Sequence, residues 1–450
     1  MFLSIHVKNF KSLIDFRIDL SEKKNTPKQL ALIYGENGSG KSNIASIFYT
    51  LIQTLHTMGF KKSFEDFLAN EERMLERRSS SDFKKILNSA FVDLENIIGN
   101  SKTIGIKENL VLEFEFLVNG SKGIYSLEFN EERVIEERLE YLIEKNRGLF
   151  FRLEEDSKYF SPKMFSSDYL NEIKSHVDRF WGKHTLLSIL IFERSEKNKD
   201  FLDKNVNFNF QDVLKFLERL MCKVNIGNRG GRGFYPINLP LGGEFIDGEV
   251  EVANVDELDL AEKVLGHLFT GLYSDMKNLY YARRETDNQS VKYKLYVKKL
   301  IGLEIRDIPF EQESTGTLNI LELLSPLLMA MQGSAVVLDE FDAGIHDILI
   351  KSIFEKLSGS LKGQLIMTTH NTLLLESDVD NKYIYILAVD VDGNKKINSL
   401  DQYDLRVHNN NNRRSQYLKG MYHGVPLVGH VDFDLVVDQL RDIDQHGGSV

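Results

Sequence analysis

Three clusters of residues in this 450-residue sequence carry types and spacings that could do chemistry. The first is Gly35-Glu36-Asn37-Gly38-Ser39-Gly40-Lys41-Ser42, which fits G-x-x-x-x-G-K-[ST]. The apolar run Leu32-Ile33-Tyr34 leads in, and a helix-like run follows from Ser42. Such a loop turns backbone N–H groups onto a phosphate chain, and the helix N-terminus adds partial positive charge. Lys41 would reach the outer phosphates, and Ser42 would ligate Mg²⁺. The second cluster is Val336-Val337-Leu338-Asp339-Glu340, an apolar strand ending in two acids. Beside a P-loop, Asp339 would hold the Mg²⁺ and its waters, and Glu340 would polarise an attacking water. A second acid after Asp339 favours hydrolysis over transfer to a metabolite. The third is the strand Leu365-Ile366-Met367-Thr368-Thr369 ending in His370. The expected ligand is a nucleoside triphosphate; taken singly, the strand-end His370 reads as a merely hydrogen-bonded histidine.

Each cluster needs a strand to deliver it to a common edge. Residues 2–7 and 14–20 alternate in period two around Asn9-Phe10-Lys11-Ser12, giving a hairpin ahead of the P-loop strand. Ile44, Ile47, Phe48, Leu51 and Leu55 recur at helical spacing after it. A charged helical segment is expected over 61–98, with a solvated break at Arg77-Arg78-Ser79-Ser80-Ser81. Leu110–Phe116, an Asn119-Gly120 turn and Ile124–Phe129 read as a hairpin, continued by Val134–Leu142 and Gly148–Leu153. From about Phe165 to Tyr281 the pattern turns helical, with Leu186–Leu190 and Val213–Met221 the clearest pieces. The Gly227–Gly233 Arg-Gly cluster reads better as a connection than as a phosphate contact, and Lys292–Lys298 as a half-exposed strand.

Composition bounds the class. Net charge is −11, which speaks against indiscriminate nucleic-acid coating, so a nucleic-acid partner is not indicated by charge. The single cysteine, Cys222, excludes an internal disulfide and a cysteine metal cluster. No apolar run approaches the roughly 20 residues of a membrane span, and no secretory leader pattern opens the chain. The expectation is a cytoplasmic protein without membrane partners.

About 25 residues before Asp339 lies Glu313-Ser314-Thr315-Gly316-Thr317, a polar loop opening a helix. With that order of motifs, the sequence resembles the ABC-type ATPases of the SMC/RecF/OLD branch. Ser314-Thr315-Gly316-Thr317 is similar to the family's signature loop, although S-T-G-T stands where S-G-G-Q is usual. Asp339-Glu340 is similar to Walker B, His370 to the switch histidine, and Phe341–His346 to the D-loop region. Val7–Leu13 is similar to the first hairpin, which brings Lys11 near the nucleotide. The downstream Tyr383–Leu387 and Arg406…Tyr417–Pro426 resemble stand-alone OLD-like ATPases met in anti-phage defence and abortive infection, the PARIS system among them. No Q-loop glutamine is evident; Gln53 lies on the P-loop helix.

The resemblance implies an α/β, ABC/SMC-type P-loop head with an antiparallel β subdomain and a short coiled-coil-like helical insertion. Its expected divisions are a discontinuous head (1–60, 105–165, 290–430), inserts at 61–104 and 166–289, and a tail at 431–450. It further implies ATP and Mg²⁺ as ligands. Gly35, Glu36, Asn37, Gly38, Ser39, Gly40, Lys41, Ser42, Asn43 and Lys11 would contact ATP, and Ser42 and Asp339 the metal. Ser314, Gly316 and Thr317 would act on the ATP of a second copy, making a homodimer, or a higher homo-oligomer. The favoured function is a switch or scaffold ATPase controlling a separately encoded nuclease or toxin. A RecF-like repair ATPase and an OLD-type nuclease are the alternatives. Two arms drawn from roughly 130 residues would reach at most about 100 Å, too short for a chromosome organiser. The nuclease reading rests on Asp390-Val391-Asp392, better explained as the turn of a hairpin. Phe433, Leu435, Val436 and Leu440 near the C-terminus would dock a partner or cover the head.

Overall fold

The structure is a computed structural model that describes residues 1–23, 26–69, 93–225, 231–234, 241, 244–286, 289–403, 412–425, 432–435 and 437. The chain opens with β1 (Phe2–Phe10) and β2 (Leu13–Asp19), then a short ladder of β3 (Ser21–Lys23) and β4 (Thr26–Pro27). The P-loop strand β5 (Leu30–Gly35) and helix α1 (Lys41–Ala69) follow, then α2 (Leu94–Ser101). A meander comprises β6 (Leu110–Val118), β7 (Ser121–Phe129), β8 (Val134–Leu142), β9 (Arg147–Glu154) and β10 (Lys158–Phe160). Four helices come next: α3 (Ser167–Phe180), α4 (Leu186–Glu196), α5 (Lys199–Asn205) and α6 (Phe208–Glu218). After them run β11 (Met221–Asn225), β12 (Gly231–Phe234), β13 (Asp247–Glu251), α7 (Asp256–Leu272), β14 (Met276–Glu285), β15 (Ser290–Ile301) and β16 (Glu304–Pro309). The last third holds α8 (Thr315–Met331), β17 (Ala335–Leu338), α9 (Asp347–Ser358), β18 (Gln364–Thr368), β19 (Ile384–Val389), β20 (Lys395–Ser399) and α10 (Arg413–Leu418).

The central sheet has the order β12-β11-β17-β18-β5-β19-β20. Its five inner strands run parallel, and β12 and β20 close the two edges antiparallel. The inner strands are predominantly apolar because both faces are largely covered, with polar residues such as Lys223, Asn225, Gln364 and Thr368 among them. Ala31, Ile33, Val337, Ile366 and Leu387 join one core with the seven-stranded sheet β10-β9-β8-β7-β6-β1-β2, with α1 and with the four-helix cluster. Leu32, Tyr34, Val336, Leu338, Met367 and Ile386 join a second core with α7, α8, α9 and the β13–β16 sheet. The period-two alternation of side chains across each strand thus divides one run of residues between two cores.

Two expected boundaries fall inside continuous structure. Helix α1 runs without a break through residue 60. Strands β14 and β15 pair along their length, so the division at 289/290 splits one sheet. The expected helical run to Tyr281 also needs correction. Helix α6 ends at Glu218, and Met221-Cys222-Lys223-Val224-Asn225 is a strand beside β17. Five residues are too few to display a period, and Met221, Cys222 and Val224 are buried as an inner strand requires. The Arg77–Ser81 break and residues 227–230 of the Arg-Gly cluster lie outside the described residues, as do Val436 and Leu440. Phe433 and Leu435 are exposed. Among the described residues, no helix is long and apolar enough to cross a membrane.

Candidate nucleotide site at the rim of the central sheet

The carboxyl ends of parallel strands form the rim where open α/β sheets bind ligands. Here that rim carries the P-loop after β5, Asp339-Glu340 after β17, Thr369-His370 after β18 and Asn225 at the end of β11. Asn37, Lys41, Ser42, Glu340, Asp342 and His370 line a cleft of about 630 Å³.

The loop is built so that only glycine fits. A Cβ at Gly35 would lie 2.8 Å from Ser39 Oγ and 2.9 Å from the Leu387 carbonyl oxygen, and Gly40 has φ +106°. Lys41 Nζ curls onto the carbonyls of Gly35 at 2.7 Å and Glu36 at 2.8 Å. Burial lowers its pKa to about 8, although Asp339 and Glu340 pull the other way. Ser39 Oγ is buried with no hydrogen-bond partner among the described residues, leaving a polar group within the cradle for a ligand oxygen.

Asp339 is buried and held by three donors. Thr368 Oγ1 donates to Oδ1 at 2.6 Å, Asn225 N to Oδ2 at 3.3 Å, and the Ser42 hydroxyl also bonds to it. Burial raises its pKa, against those hydrogen bonds. Glu340 sits at φ +48°, a left-handed conformation disfavoured for a side-chain-bearing residue. Its N–H donates to Thr368 Oγ1 at 2.8 Å, and its Oε2 accepts from Asn225 Nδ2 at 3.0 Å. Thr368 therefore receives from one acid's backbone and donates to the other's carboxylate. Thr369 Oγ1 donates to Asp342 at 2.9 Å, and burial raises the Asp342 pKa. His370 stands at the cleft mouth; partial burial and the Lys41 charge lower its pKa. Lys11, at φ +50° in the first hairpin, is close enough to feel the Asp339 charge, while burial lowers its pKa.

The donor set at Ser42 and Asp339 is a hydroxyl and a carboxylate, hard oxygens that fit Mg²⁺, which takes few protein ligands beside phosphate. The signature-like loop lies elsewhere. Ser314 caps α8, accepting from Thr317 N at 3.2 Å, and Ser314 and Thr315 are exposed. Gly316 abuts the loop after Glu340: its Cβ would meet Gly344 O at 2.9 Å, and Asn319 Nδ2 donates to Ala343 O at 2.8 Å. The fold thus gathers Gly35–Asn43, Lys11, Asp339, Glu340 and His370, and leaves Ser314, Gly316 and Thr317 outside the cleft. Asn225 and Thr368 are the residues that sequence reasoning missed. Thr368 had a visible signal, a hydroxyl at the end of a buried strand. Asn225 had none, since its place depends on which strand lies beside β17.

Asp390 belongs to a turn. Its Oδ1 accepts from Asn394 N at 2.8 Å and Asp392 N at 3.1 Å, around Gly393 at φ +81°. Among the described residues, no three His, Cys, Asp or Glu side chains are placed to hold a metal ion.

The family model described as "AAA domain, putative AbiEii toxin, Type IV TA system" matches residues 30–376, from the P-loop strand past His370. The chain belongs to this family. Its fold is α/β: a largely parallel sheet with a P-loop on its rim, an antiparallel β subdomain and a helical insertion, here the α3–α6 cluster. No curated protein matches the chain. Solved structures similar to this AAA-family chain include an SMC head bound to the C-winged-helix domain of ScpA, at TM-score 0.44 and 15% identity over 89% of this chain and 97% of that one. An SMC head domain from Thermotoga maritima gives 0.36 and 15% over 88% and 98%. An SMC head with an extended coiled coil, bound to the C-terminal domain of ScpA derived from Pyrococcus furiosus, gives 0.40 and 13% over 94% and 99%.

Proposed function

We propose that this chain binds and hydrolyses ATP as a switch that closes on itself as a head-to-tail dimer. The observation that carries the reading is the separation just described. One chain holds P-loop, acids and histidine in a single cleft, while Ser314 is exposed and not among the residues that line it. A second copy, turned about a two-fold axis, would lay its Ser314 and the N–H groups near its Gly316 on the γ-phosphate. ATP would then bind the closed pair better than the open chain, and that difference in affinity drives closure.

In the closed state Glu340 accepts a proton from water, whose oxygen attacks the γ-phosphorus as the bond to ADP breaks. Asn225 and the Glu340 N–H bond to Thr368 aim the carboxylate. His370 is placed to hydrogen-bond at the γ-phosphate. Lys41 neutralises the outer phosphates. Ser42 and Asp339 would hold Mg²⁺, which supplies charge neutralisation when bound.

The output is a change of assembly. The family's toxin–antitoxin description and the OLD-like tail support a role as sensor or regulatory subunit in bacterial anti-phage defence of the PARIS kind. In that role, a cytoplasmic dimer or higher homo-oligomer restrains or releases a nuclease or toxin encoded separately. The test is twofold. Purified protein should hydrolyse ATP, and Lys41→Ala should abolish both hydrolysis and plaque reduction when the chain is expressed with its flanking genes. Plaque reduction that survives Lys41→Ala would contradict the switch.

A further inference from the structure

A lysine two strands from the P-loop lies against it. Lys395 opens β20, pairing with Val389 at the carboxyl end of β19, so it stands on the same rim as Gly35 and Asp339. Its Nζ donates to Ser12 Oγ at 2.6 Å. Asn43 Nδ2 donates to the same oxygen at 2.7 Å. The cluster touches the phosphate loop itself: a Cβ at Gly40 would meet Lys395 Nζ at 3.1 Å and Ser12 Oγ at 3.3 Å. Neighbouring Lys396 is paired with Asp390 at 3.6 Å. Among the described residues Lys395 forms no such ion pair; burial lowers its pKa, and the Glu36 charge pulls it the other way.

The donor arithmetic leaves hydrogens for a ligand. An ammonium has three, and one goes to Ser12. Ser12 Oγ accepts two N–H donors, so its own hydrogen is free to be given elsewhere. Strand order fixes which part of a nucleotide this cluster would meet. Glu340 and Asp339 lie two strands from β5 on one side, and Lys395 lies two strands from it on the other. Neighbouring strands are about 4.8 Å apart, so the two groups flank the P-loop at comparable distance. A phosphate chain whose γ end is at Glu340 must run its inner end toward β20.

We infer that Lys395, with Ser12 and Asn43, holds the α-phosphate of the bound nucleotide. The inference rests on the ATP reading above and adds a contact from the far edge of the sheet. Because ADP keeps the α-phosphate, a loss at this cluster should weaken both nucleotides alike. The experiment is fluorescence-anisotropy titration of labelled ATP and labelled ADP with wild type, Lys395→Met, Lys395→Arg and Ser12→Ala.

Removing one charge-assisted contact should weaken ATP and ADP by the same factor, about 10- to 100-fold, in Lys395→Met. Lys395→Arg should recover most of the loss, and Ser12→Ala should show the same equal pattern at smaller size. Loss confined to ATP would place the amine at the γ end and overturn the inference, as would unchanged affinity for both. Wild type that binds neither nucleotide would instead overturn the ATP reading. Should Lys395→Met not fold, the Ser12→Ala ratio of ATP to ADP loss decides alone.

Discussion

The rim of the central sheet and the first turn of α8 are both loops that open helices, yet they are built in opposite ways. At the rim the polar groups are mostly enclosed and engaged. Lys41 is bonded to two carbonyls, Asp339 to Thr368, Asn225 and Ser42, and Glu340 to Thr368 and Asn225. At α8, Ser314 and Thr315 stand exposed, and Ser314's polar contacts are those of its own helix cap. An enclosed, bonded constellation holds its geometry before the ligand arrives. An exposed cap holds only the first turn of its own helix. The two are nonetheless joined, because Gly316 and Asn319 press on Gly344 and Ala343, four and three residues after Glu340. The loop after the acids is therefore in direct contact with the face that we propose meets a second copy.

Breaking the rim should cost most. Glu340→Gln should keep ATP binding, trap the closed dimer and lower turnover by roughly 10²- to 10⁴-fold, the usual worth of a positioned base. Wild-type turnover by this variant would remove Glu340 from the role. On the other side of the comparison, Ser314→Arg should leave nucleotide binding by the single chain intact. It should lower turnover by about 10²-fold, as when one transition-state donor is lost. Equal losses of binding and turnover would mean that Ser314 acts on its own cleft. Asn225→Ala removes one hydrogen bond from Glu340, so steady-state kinetics should show kcat down by about 10-fold.

The smallest effect on turnover belongs to a buried carboxylate away from the rim. Glu137, at the core face of β8, accepts from Tyr125 OH (2.9 Å), Trp181 Nε1 (3.1 Å), Leu186 N (2.5 Å) and Leu187 N (3.2 Å). These bonds tie the antiparallel sheet to the start of α4. Burial raises its pKa to about 7, against the four donors. Between about pH 4.5 and 7 the folded state then binds more protons than the unfolded one. This group's contribution to stability is complete below that window and declines as pH rises through it. Chemical denaturation of Glu137→Gln should show that decline flattened by up to about 3 kcal/mol, with turnover per folded molecule unchanged. Altered turnover would tie the α3–α6 cluster to the chemistry.

What the sequence revealed and what it hid follows from distance along the chain. Gly35 to Ser42 is legible because the loop's chemistry is contiguous, and Asp339-Glu340 and His370 because each ends an apolar run. Asn225 was hidden because its function comes from β11 lying beside β17, a pairing of residues more than a hundred positions apart. Lys395 was hidden for the same reason: it reaches Gly40 only because β20 closes the edge next to β19. Glu137 reads as one more charge in Glu136-Glu137-Arg138, and only the packing of Trp181 and α4 against β8 makes it a core residue. The helical reading around Met221 failed because neighbouring helices set the local pattern and five residues could not overrule it.

The central claim is that each ATP is held by two copies of this chain. It is tested most directly by mixing two crippled variants, Lys41→Ala and Ser314→Arg, and measuring ATP turnover. In a 1:1 mixture half the pairs are mixed, and each mixed pair has one site with an intact P-loop facing an intact Ser314. The account predicts that the mixture recovers about a quarter of wild-type turnover although each variant alone turns over at about a hundredth of it or less. A mixture that stays inactive, or a Ser314→Arg protein that is fully active by itself, would contradict it.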